Sequence, residues 1–349
     1  MTTAYVTHAR YPEHDLPQHP EHAGRIRAVW QRMEQAGVLP HLLPITPNEV
    51  SVDLLRAVHA QKYLDALAEI HTMRLKQTAH LDPDTYFSPN SYEIARLSAG
   101  GVVNAIEAVL TGKADNALAA VRPPGHHAMP EYAMGFCIFG NIAVGARYAQ
   151  QIHHVGRVMI VDYDVHHGNG TQAMFYDDPS VLFISTHQYP FYPGTGNLTE
   201  TGEGAGKGYT INVPLHGGHS DYGYAQIFEK VVWKAAARFR PELILVSAGF
   251  DAHFADPLAQ MRLSLKGYAH LTRELIAMAK QFCDGKIVFV MEGGYNLQVL
   301  ANGVLNIAYA LLGNADVSDP LGIDRDHERE SDIMPLIASI TKLHNLDEV

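Results

Sequence analysis

Residues 158–170 read Val-Met-Ile-Val-Asp-Tyr-Asp-Val-His-His-Gly-Asn-Gly. The first four residues are apolar without alternation, which is typical of a strand buried on both faces of a sheet. Asp164 and His166 follow this run, and positions two apart in an extended segment project to the same side. One strand end can therefore present a carboxylate and an imidazole together, and zinc accepts both as ligands.

Five further apolar runs have the same character and are separated by longer segments with a helical pattern. The runs are Ala117–Val121, Val181–Ile184, Tyr209–Val213, Leu243–Val246 and Ile287–Val290. The helical segments are Tyr92–Leu110, Phe136–Gln151, Tyr222–Arg238, Leu265–Ala279 and Leu297–Leu312. Strands that alternate with helices form a mostly parallel sheet with helices on both faces. The sequence thus predicts a single α/β domain over residues 1–349, with a loop at 194–208 and a surface helix or tail over 315–349.

Ligands of an open parallel sheet bind beyond the carboxyl ends of its strands, so the residues that follow each run are candidates for function. Five runs are followed by polar residues, several of them beside glycine: Arg122-Pro-Pro-Gly-His126-His127, Asp162-Tyr-Asp164-Val-His166, Ser185-Thr186-His187, Asp251-Ala-His253 and Glu292-Gly293-Gly294-Tyr295. Isolated polar residues after a strand are usually turn residues, but five such clusters at one edge of a sheet indicate an active site.

Asp251 adds a second carboxylate to the pair formed by Asp164 and His166. Two carboxylates, one imidazole and an open position suit a catalytic zinc that carries water. The same ligand set also accepts iron, cobalt or manganese. The residues alone therefore predict one metal centre without choosing among these metals.

His126 and His127 follow two prolines and a glycine, which restrict the backbone that carries them. With metal ligands available elsewhere, the two imidazoles are predicted to act as acid and base. Asp162 and Asn169 flank the metal ligands in sequence and are the candidates to orient them. Tyr295 brings a phenol to the same edge, where its hydroxyl can donate to a developing oxyanion.

Composition excludes several classes of protein. The 349 residues carry 26 Lys and Arg against 37 Asp and Glu, a net charge of −11 that argues against nucleic-acid binding. No apolar run reaches the length of a membrane span. Two cysteines, Cys137 and Cys283, do not form a disulfide framework, so a reducing cytoplasm is expected. Histidine is unusually frequent, with 21 residues.

Together these motifs resemble the zinc-dependent histone deacetylase family, within the arginase/deacetylase fold. The similarity runs from about His19 to the helix after Tyr295, and the motifs occur in family order: Arg122-Pro-Pro-Gly-His-His127, Gly135-Phe-Cys137, Asp162-x-Asp-x-His-His-Gly-Asn-Gly170, Pro193-Gly-Thr-Gly196, Gly249-Phe-Asp-Ala252 and Glu292-Gly-Gly-Tyr295. Asn169, with the Thr85-Tyr86 and Ser88-Pro89 loop, resembles the class II branch and its bacterial relatives. Arginases present D-x-H-x-D, and Gly168 in place of the last aspartate argues for one catalytic metal.

The resemblance implies a role for each matching residue. It makes Asp164, His166 and Asp251 the zinc ligands, and His127 the general base and acid with His126 as its electrostatic partner. The other implied roles are carbonyl polarisation by Tyr295, substrate contacts at Gly135, Phe136, Tyr192, Leu258 and Gly293, and a product channel at Arg25. Potassium would be held at one site by Asp162, Asp164, His166, Ser185 and Thr186, and at a second by Phe175, Asp178, Val181 and Tyr209.

We therefore expect a zinc amidohydrolase that removes acyl groups, acetyl above all, from the ε-amine of lysine. Leu258 offers no charge at the expected tunnel rim, where polyamine-selective relatives can place glutamate. Two alternatives stay open: an acetylpolyamine or other small-molecule amide deacetylase and, in another class, a non-catalytic acyl-amine binding protein. The expected partner is an acylated lysine or other acylated amine, with no nucleic acid and no membrane, and the sequence leaves a homo-oligomer open.

Overall fold

An eight-stranded sheet forms the centre of the molecule, and every pairing within it is parallel. The computed structural model describes residues 1–324 and 330–348. The strands are β1 (Thr3–Val6), β2 (Leu43–Ile45), β3 (Ala79–His80), β4 (Tyr86–Phe87), β5 (Asn116–Ala119), β6 (Val158–Asp162), β7 (Val181–Gln188), β8 (Thr210–Leu215), β9 (Leu243–Ala248) and β10 (Ile287–Met291). Their order in the sheet is β2-β1-β5-β10-β9-β6-β7-β8, while β3 and β4 pair separately as an antiparallel ribbon.

Helices cover both faces of this sheet, which confirms the predicted fold class. They are α1 (Gly24–Gln35), α2 (Val52–Leu55), α3 (Gln61–Thr72), α4 (Ser91–Leu110), α5 (Asn141–His153), α6 (Asn169–Phe175), α7 (Asp221–Ile227), α8 (Trp233–Phe239), α9 (Leu265–Phe282), α10 (Leu297–Leu311) and α11 (Met334–Leu343). α4 and α5 pack on each other, and α10 packs between α1 and α9. No helix of the described residues is long and apolar enough to cross a membrane.

Burial explains why the central strands read as unbroken apolar runs. Every residue of β5, β6, β7, β9 and β10 is buried, because helices cover both faces. The four strands β5, β10, β9 and β6 are consecutive neighbours in the sheet. Their carboxyl ends therefore converge on one edge, and the polar clusters that follow these strands in the sequence become neighbours in space.

The structure departs from the sequence patterns in three places. The patterns missed the strands β1 to β4 and the helices α1, α2, α3 and α6. These strands are at most four residues long, α2 and α6 are short, and α1 and α3 are rich in polar residues. The helix predicted from Phe136 begins at Asn141, since Phe136 has a φ of +68° that an α-helix cannot contain. The helix predicted over 222–238 is interrupted by a π-helical stretch at Phe228–Val232.

Part of the predicted surface tail is a helix that packs against the domain. Ile337 and Ile340 of α11 are buried, and α11 contacts β8 and the π-helical stretch. Residues 325–329 and 349 of the predicted tail lie outside the described residues.

A buried ionic cluster ties the N-terminal segment to the sheet. Both carboxylate oxygens of Glu21 accept from Arg122, Oε1 from Nε at 2.9 Å and Oε2 from Nη2 at 2.7 Å, and Arg25 donates to Oε1 at 3.2 Å. All three side chains are fully buried. Burial alone would raise the pKa of Glu21, but the charges of the two arginines hold it well below its usual value. The carboxylate is therefore ionised in the folded protein.

Replacing Glu21 should destabilise the fold strongly. Glu21→Ala leaves two buried guanidinium groups without their shared counter-ion, and we expect a loss of about 3–5 kcal/mol in the free energy of unfolding. Because the folded-state pKa of Glu21 is lowered, its contribution is complete above about pH 4.3 and is lost as the pH falls towards the lowered value. Denaturant titrations of both proteins at pH 7 measure the loss.

Asp53→Ala is the matched control, since Asp53 pairs with Arg56 at the surface and its side chain is 85% exposed. Its effect should stay within about 1 kcal/mol. Equal stability of Glu21→Ala and the parent protein would show that the cluster does not hold the N-terminal segment in place.

Candidate active site

Asp164, His166 and Asp251 form a compact, buried group beyond the ends of β6 and β9. One ligand atom from each residue lies within 4.8 Å of the other two. Nδ1 of His166 is 3.2 Å from Oδ1 of Asp164 and 3.2 Å from Oδ2 of Asp251. Among the described residues this is the one such group of His, Cys, Asp or Glu that could hold a metal ion. The structure thus brings together the three metal ligands predicted from the sequence.

The two buried carboxylates of this group favour a bound cation. Burial disfavours a charged imidazole, but the hydrogen bonds and charges of Asp164 and Asp251 outweigh it and raise the pKa of His166 to about 10. Burial, together with the neighbouring charge of Asp164, raises the pKa of Asp251. A divalent cation with oxygen and nitrogen ligands would satisfy both carboxylates at once, so the donor set fits a metal such as zinc.

Backbone groups fix the two carboxylates in place. The amide of Gly293 donates to Oδ2 of Asp164 at 2.8 Å, and the amide of Val165 donates to Oδ1 of Asp251 at 2.9 Å. A Cβ on Gly293 would overlap the carboxylates of both Asp164 and Asp251, and a Cβ on Gly249 would overlap that of Asp164. Gly293, predicted to contact substrate, is placed by the structure behind the carboxylates rather than among the residues that line the pocket.

The two histidines of the Pro-Pro-Gly-His-His motif lie beside this group with different partners. Nδ1 of His126 is 3.0 Å from Oδ2 of Asp162, whereas Nδ1 of His127 is 2.7 Å from the amide oxygen of Asn169. The two ring centroids are 4.0 Å apart. Asp162 and Asn169 therefore occupy the orienting positions that the sequence analysis predicted.

The surroundings of His126 and His127 shift the pKa values of the two rings in opposite directions. Burial opposes charge on His126, but the carboxylates of Asp164 and Asp162 raise its pKa well above the usual value. Burial lowers the pKa of His127 well below the usual value, and the positive charges of His126 and His166 lower it further. His126 is therefore the charged member of the pair and His127 the neutral one.

Two methionines set the orientation of the Asn169 amide. Its nitrogen lies 3.1 Å from Sδ of Met129 and 3.2 Å from Sδ of Met134, and both sulfurs can only accept. The amide oxygen therefore faces His127, which places the proton on Nδ1 and leaves the lone pair on Nε2. The sequence analysis did not single out either methionine, because only the folded chain places them there.

A pocket of about 200 Å³ leads to this group. Its lining residues are Asp84, His127, Gly135, Phe136, His166, Phe191, Tyr192, Leu258 and Tyr295. Five residues with predicted substrate or catalytic roles thus lie together in its wall: Gly135, Phe136, Tyr192, Leu258 and Tyr295. Phe191, which the sequence analysis missed, packs parallel to His166 with ring centroids 5.6 Å apart. The sequence feature that could have indicated Phe191 is its position beside Tyr192 in the segment Pro190-Phe-Tyr-Pro193.

A strained turn shapes one wall of the pocket. Gly135 and Phe136 have φ angles of +57° and +68°, in the left-handed region that few non-glycine residues adopt. The Gly135 amide donates to Oδ1 of Asp84 at 3.2 Å, and the Phe136 amide donates to Oγ1 of Thr85 at 3.0 Å. The Gly135 carbonyl accepts from the Cys137 thiol. These bonds hold the Phe136 ring edge-on to Tyr295, at 5.8 Å between centroids.

Arg25 lies directly behind the pocket. Its guanidinium carbon is 5.1 Å from the centre of the Tyr295 ring, and Nε donates to the Gly294 carbonyl at 2.9 Å. The hydroxyl of Tyr295 makes no hydrogen bond within the part of the chain that the structure describes. A narrow pocket ending on a candidate metal centre, beside two histidines and a free phenol, has the composition of a metal-dependent hydrolase site.

The residues expected to bind potassium lie in two separate groups. In the first, Asp162 and Ser185 are paired across β6 and β7, next to Thr186. The second surrounds the turn between α6 and β7, where the Asp178 amide donates to the Phe175 carbonyl and the Val181 amide to the Asp178 carbonyl. The Asp178 carboxylate is occupied by Arg147 and Ser180, so carbonyl oxygens are the groups left for a cation there.

Comparison with known proteins assigns the family. A model of the histone deacetylase domain matches residues 19–311. A probable deacetylase of Archaeoglobus fulgidus is 39% identical over 301 residues, which cover 85% of this chain and 82% of that protein. The chloroplastic histone deacetylase 10 of Oryza sativa subsp. japonica is 38% identical over 366 residues, covering 99% and 82%. The crystal structure of the HDA15 HD domain superposes with a TM-score of 0.88 at 35% identity, covering 98% of this chain and 95% of that one.

The chain therefore belongs to the histone deacetylase family, as the resemblance implied, and it is a hydrolase of the deacetylase type. Members of this family are generally zinc-dependent.

A methyl group at position 293 should disable the candidate metal centre. In Gly293→Ala the new Cβ collides with the carboxylates of Asp164 and Asp251, so at least one must leave its place. We expect loss of bound metal, measured by elemental analysis, and loss of deacetylation. Gly313→Ala is the control, because its φ of +78° strains the backbone while its Cβ meets nothing within 4 Å. Normal metal content in Gly293→Ala would contradict the assigned geometry.

Proposed function

We propose that this protein hydrolyses the amide of acylated lysine, acetyl-lysine above all, with one zinc ion held by Asp164, His166 and Asp251. The observation that carries the proposal is the narrow aromatic pocket that ends on this buried group. Such a pocket fits the unbranched methylene stem of an acyl-lysine, whose amide would reach the metal at its end. Zinc bound by these residues supplies a Lewis acid for the amide carbonyl and lowers the pKa of a water to about 7.

His127 is the proposed general base and acid. Its low pKa keeps the ring neutral, and the bond from Nδ1 to Asn169 leaves Nε2 free to accept a proton. Nε2 takes a proton from the attacking water as the oxygen adds to the carbonyl carbon. The same nitrogen then gives the proton to the departing amine as the C–N bond breaks. His126, already charged, stabilises the negative charge that develops without transferring a proton.

Tyr295 is the proposed hydrogen-bond donor to the substrate carbonyl. Burial raises the pKa of its hydroxyl well above the usual value, so the phenol keeps its proton. With no hydrogen bond to the rest of the described chain, the hydroxyl is available to the carbonyl oxygen. Donation becomes stronger as negative charge grows on that oxygen, which lowers the barrier rather than only improving binding.

The rim of the pocket favours a substrate without a second ammonium group. Leu258 contributes an apolar side chain there, and the nearby carboxylate of Asp84 is engaged by the Gly135 amide and the Thr85 hydroxyl. Burial and the neighbouring Asp82 raise the pKa of Asp84. We therefore propose acyl-lysine over acetylpolyamine as the substrate.

The remaining expectations also stand as proposals. Carbonyl oxygens near Asp162, Ser185 and Thr186, and others near Asp178 and Tyr209, would hold potassium. A cytoplasmic location stays a prediction, and the rice relative is named as chloroplastic.

Removal of the metal should abolish deacetylation. Purified protein should contain about one zinc, and treatment with a chelator should stop turnover of an acetyl-lysine peptide until zinc is restored. Asp251→Asn should lose metal and at least about 100-fold in kcat/KM, since it removes a ligand rather than an outer-shell partner. Asp53→Asn, at an exposed site, is the control. Two tightly bound catalytic metals, full activity in Asp251→Asn, or faster turnover of acetylpolyamines than of the peptide would refute this assignment.

Tyr295→Phe should separate catalysis from metal binding. The substitution removes one hydroxyl and no ligand, so zinc content should stay normal while kcat falls roughly 10²–10³-fold, the usual cost of an oxyanion donor. KM should change little, because the bond forms mainly in the transition state. Steady-state kinetics beside elemental analysis test this. Turnover at the parental rate would mean that another group polarises the carbonyl.

A further inference from the structure

A second cavity, of about 750 Å³, lies at the opposite edge of the sheet from the active site. Arg157 and Tyr209, which line it, directly precede β6 and β8, and Pro179 lies two residues before β7. In a parallel sheet these amino ends face away from the carboxyl ends that carry the candidate metal ligands. Residues 343–345, at the end of α11, close another side of the cavity. The cavity is therefore independent of the deacetylase pocket.

The cavity is lined by cations, and none of the described residues in its wall is acidic. Arg157, Lys207 and Arg238 all belong to its wall. Lys207 and Arg238 form no ion pair within the described residues. Arg157 pairs with Glu242, a neighbour outside the wall, at 3.0 Å. This local excess of positive charge stands against a net charge of −11 for the whole chain, so it is an unusual part of the surface.

His344 supplies a buried imidazole that can donate to a ligand. Its side chain is 3% exposed, and neither ring nitrogen makes a hydrogen bond within the described residues. The Gly208 carbonyl lies near enough to favour the charged form, but burial and the charge of Arg238 lower the pKa of His344 to about 4. The ring is thus neutral at pH 7 and keeps one N–H donor. A buried donor without an acceptor is costly, and a ligand that accepts from it would remove that cost.

Arg238 holds the segment that carries His344 against the loop that carries Gly208. Its guanidinium donates to the backbone carbonyls of His344 and Gly208. This contact fixes the residues after α11 against the loop before β8, and it positions the guanidinium without neutralising it. The wall also contains apolar surface from Phe239 and Leu343, so one part of the cavity suits an anion and another suits an organic group.

We propose that this cavity binds an organic phosphate, with the phosphate among Lys207, Arg238 and His344 and the organic part against Phe239 and Leu343. A phosphate presents several acceptor oxygens, which matches a guanidinium, an ammonium and an imidazole N–H that line one cavity. A free phosphate ion would fill only a small part of 750 Å³. The volume and the apolar wall therefore favour a phosphate that carries a ring or chain.

Titration calorimetry on the full, zinc-loaded chain tests this proposal, with inorganic phosphate and phenyl phosphate as probes at constant ionic strength. Phenyl phosphate should bind more tightly than inorganic phosphate, because its ring contacts the apolar wall. Lys207→Gln and His344→Phe should each weaken binding roughly five- to tenfold, as expected for the loss of one hydrogen bond to a charged group. Glu242→Gln should tighten binding, since it releases Arg157.

Arg27→Gln is the matched control, because Arg27 is exposed, lies on α1 and forms no ion pair within the described residues. It changes the net charge by the same amount as Lys207→Gln. Circular dichroism should confirm that each variant is folded, and deacetylation should stay at the parental level in all of them. Equal weakening by Arg27→Gln, equal affinity for the two probes, or no binding by folded parent protein would overturn the proposal.

Discussion

The burial of several carboxylates at one edge of the sheet is the constraint on which the site depends. Asp162, Asp164, Asp251 and Glu292 all lie buried at or beyond the ends of β6, β9 and β10. Burial raises the pKa of Glu292 to about 7, which shows how unfavourable further negative charge is there. The site must therefore collect positive charge, and it does so with the His126 ring, backbone amides and a place for a divalent cation. A divalent cation at the candidate metal centre would therefore offset buried negative charge in the fold as well as serve catalysis.

The same requirement extends into the layer behind the pocket. Arg25 lies between the Tyr295 ring and Glu21, and Glu21 in turn neutralises Arg122. Arg122 is the first residue of the Arg-Pro-Pro-Gly-His-His motif, so the ionic cluster also anchors the segment that carries both histidines. Stability and catalysis are coupled here, because a change in the cluster would move His126 and His127 as well as weaken the fold.

The difference in charge between His126 and His127 follows from the groups that surround each ring. His126 faces Asp162 and Asp164, which favour its charged form, whereas His127 faces an amide and lies close to the charged ring of His126. An asparagine partner suits this arrangement, since it orients His127 without stabilising its charge. A neutral base beside a charged neighbour is what the proposed proton transfer needs, because the base must accept a proton and then release it within one turnover.

The amino-acid sequence by itself determined the parallel α/β sheet, the strand ends that carry chemistry and the three residues that form the candidate metal group. Those features depend on local pattern: unbroken apolar runs and the ligand chemistry of Asp and His. It did not predict β1, β2 or α1, nor the contacts of Phe191, Met129 and Met134 with the site. The orientation of the Asn169 amide, the strained turn at Phe136 and the basic cavity around His344 were decided only by the tertiary structure. Each depends on groups that are far apart in the chain, and no local pattern encodes which distant side chain will supply a missing hydrogen bond or charge.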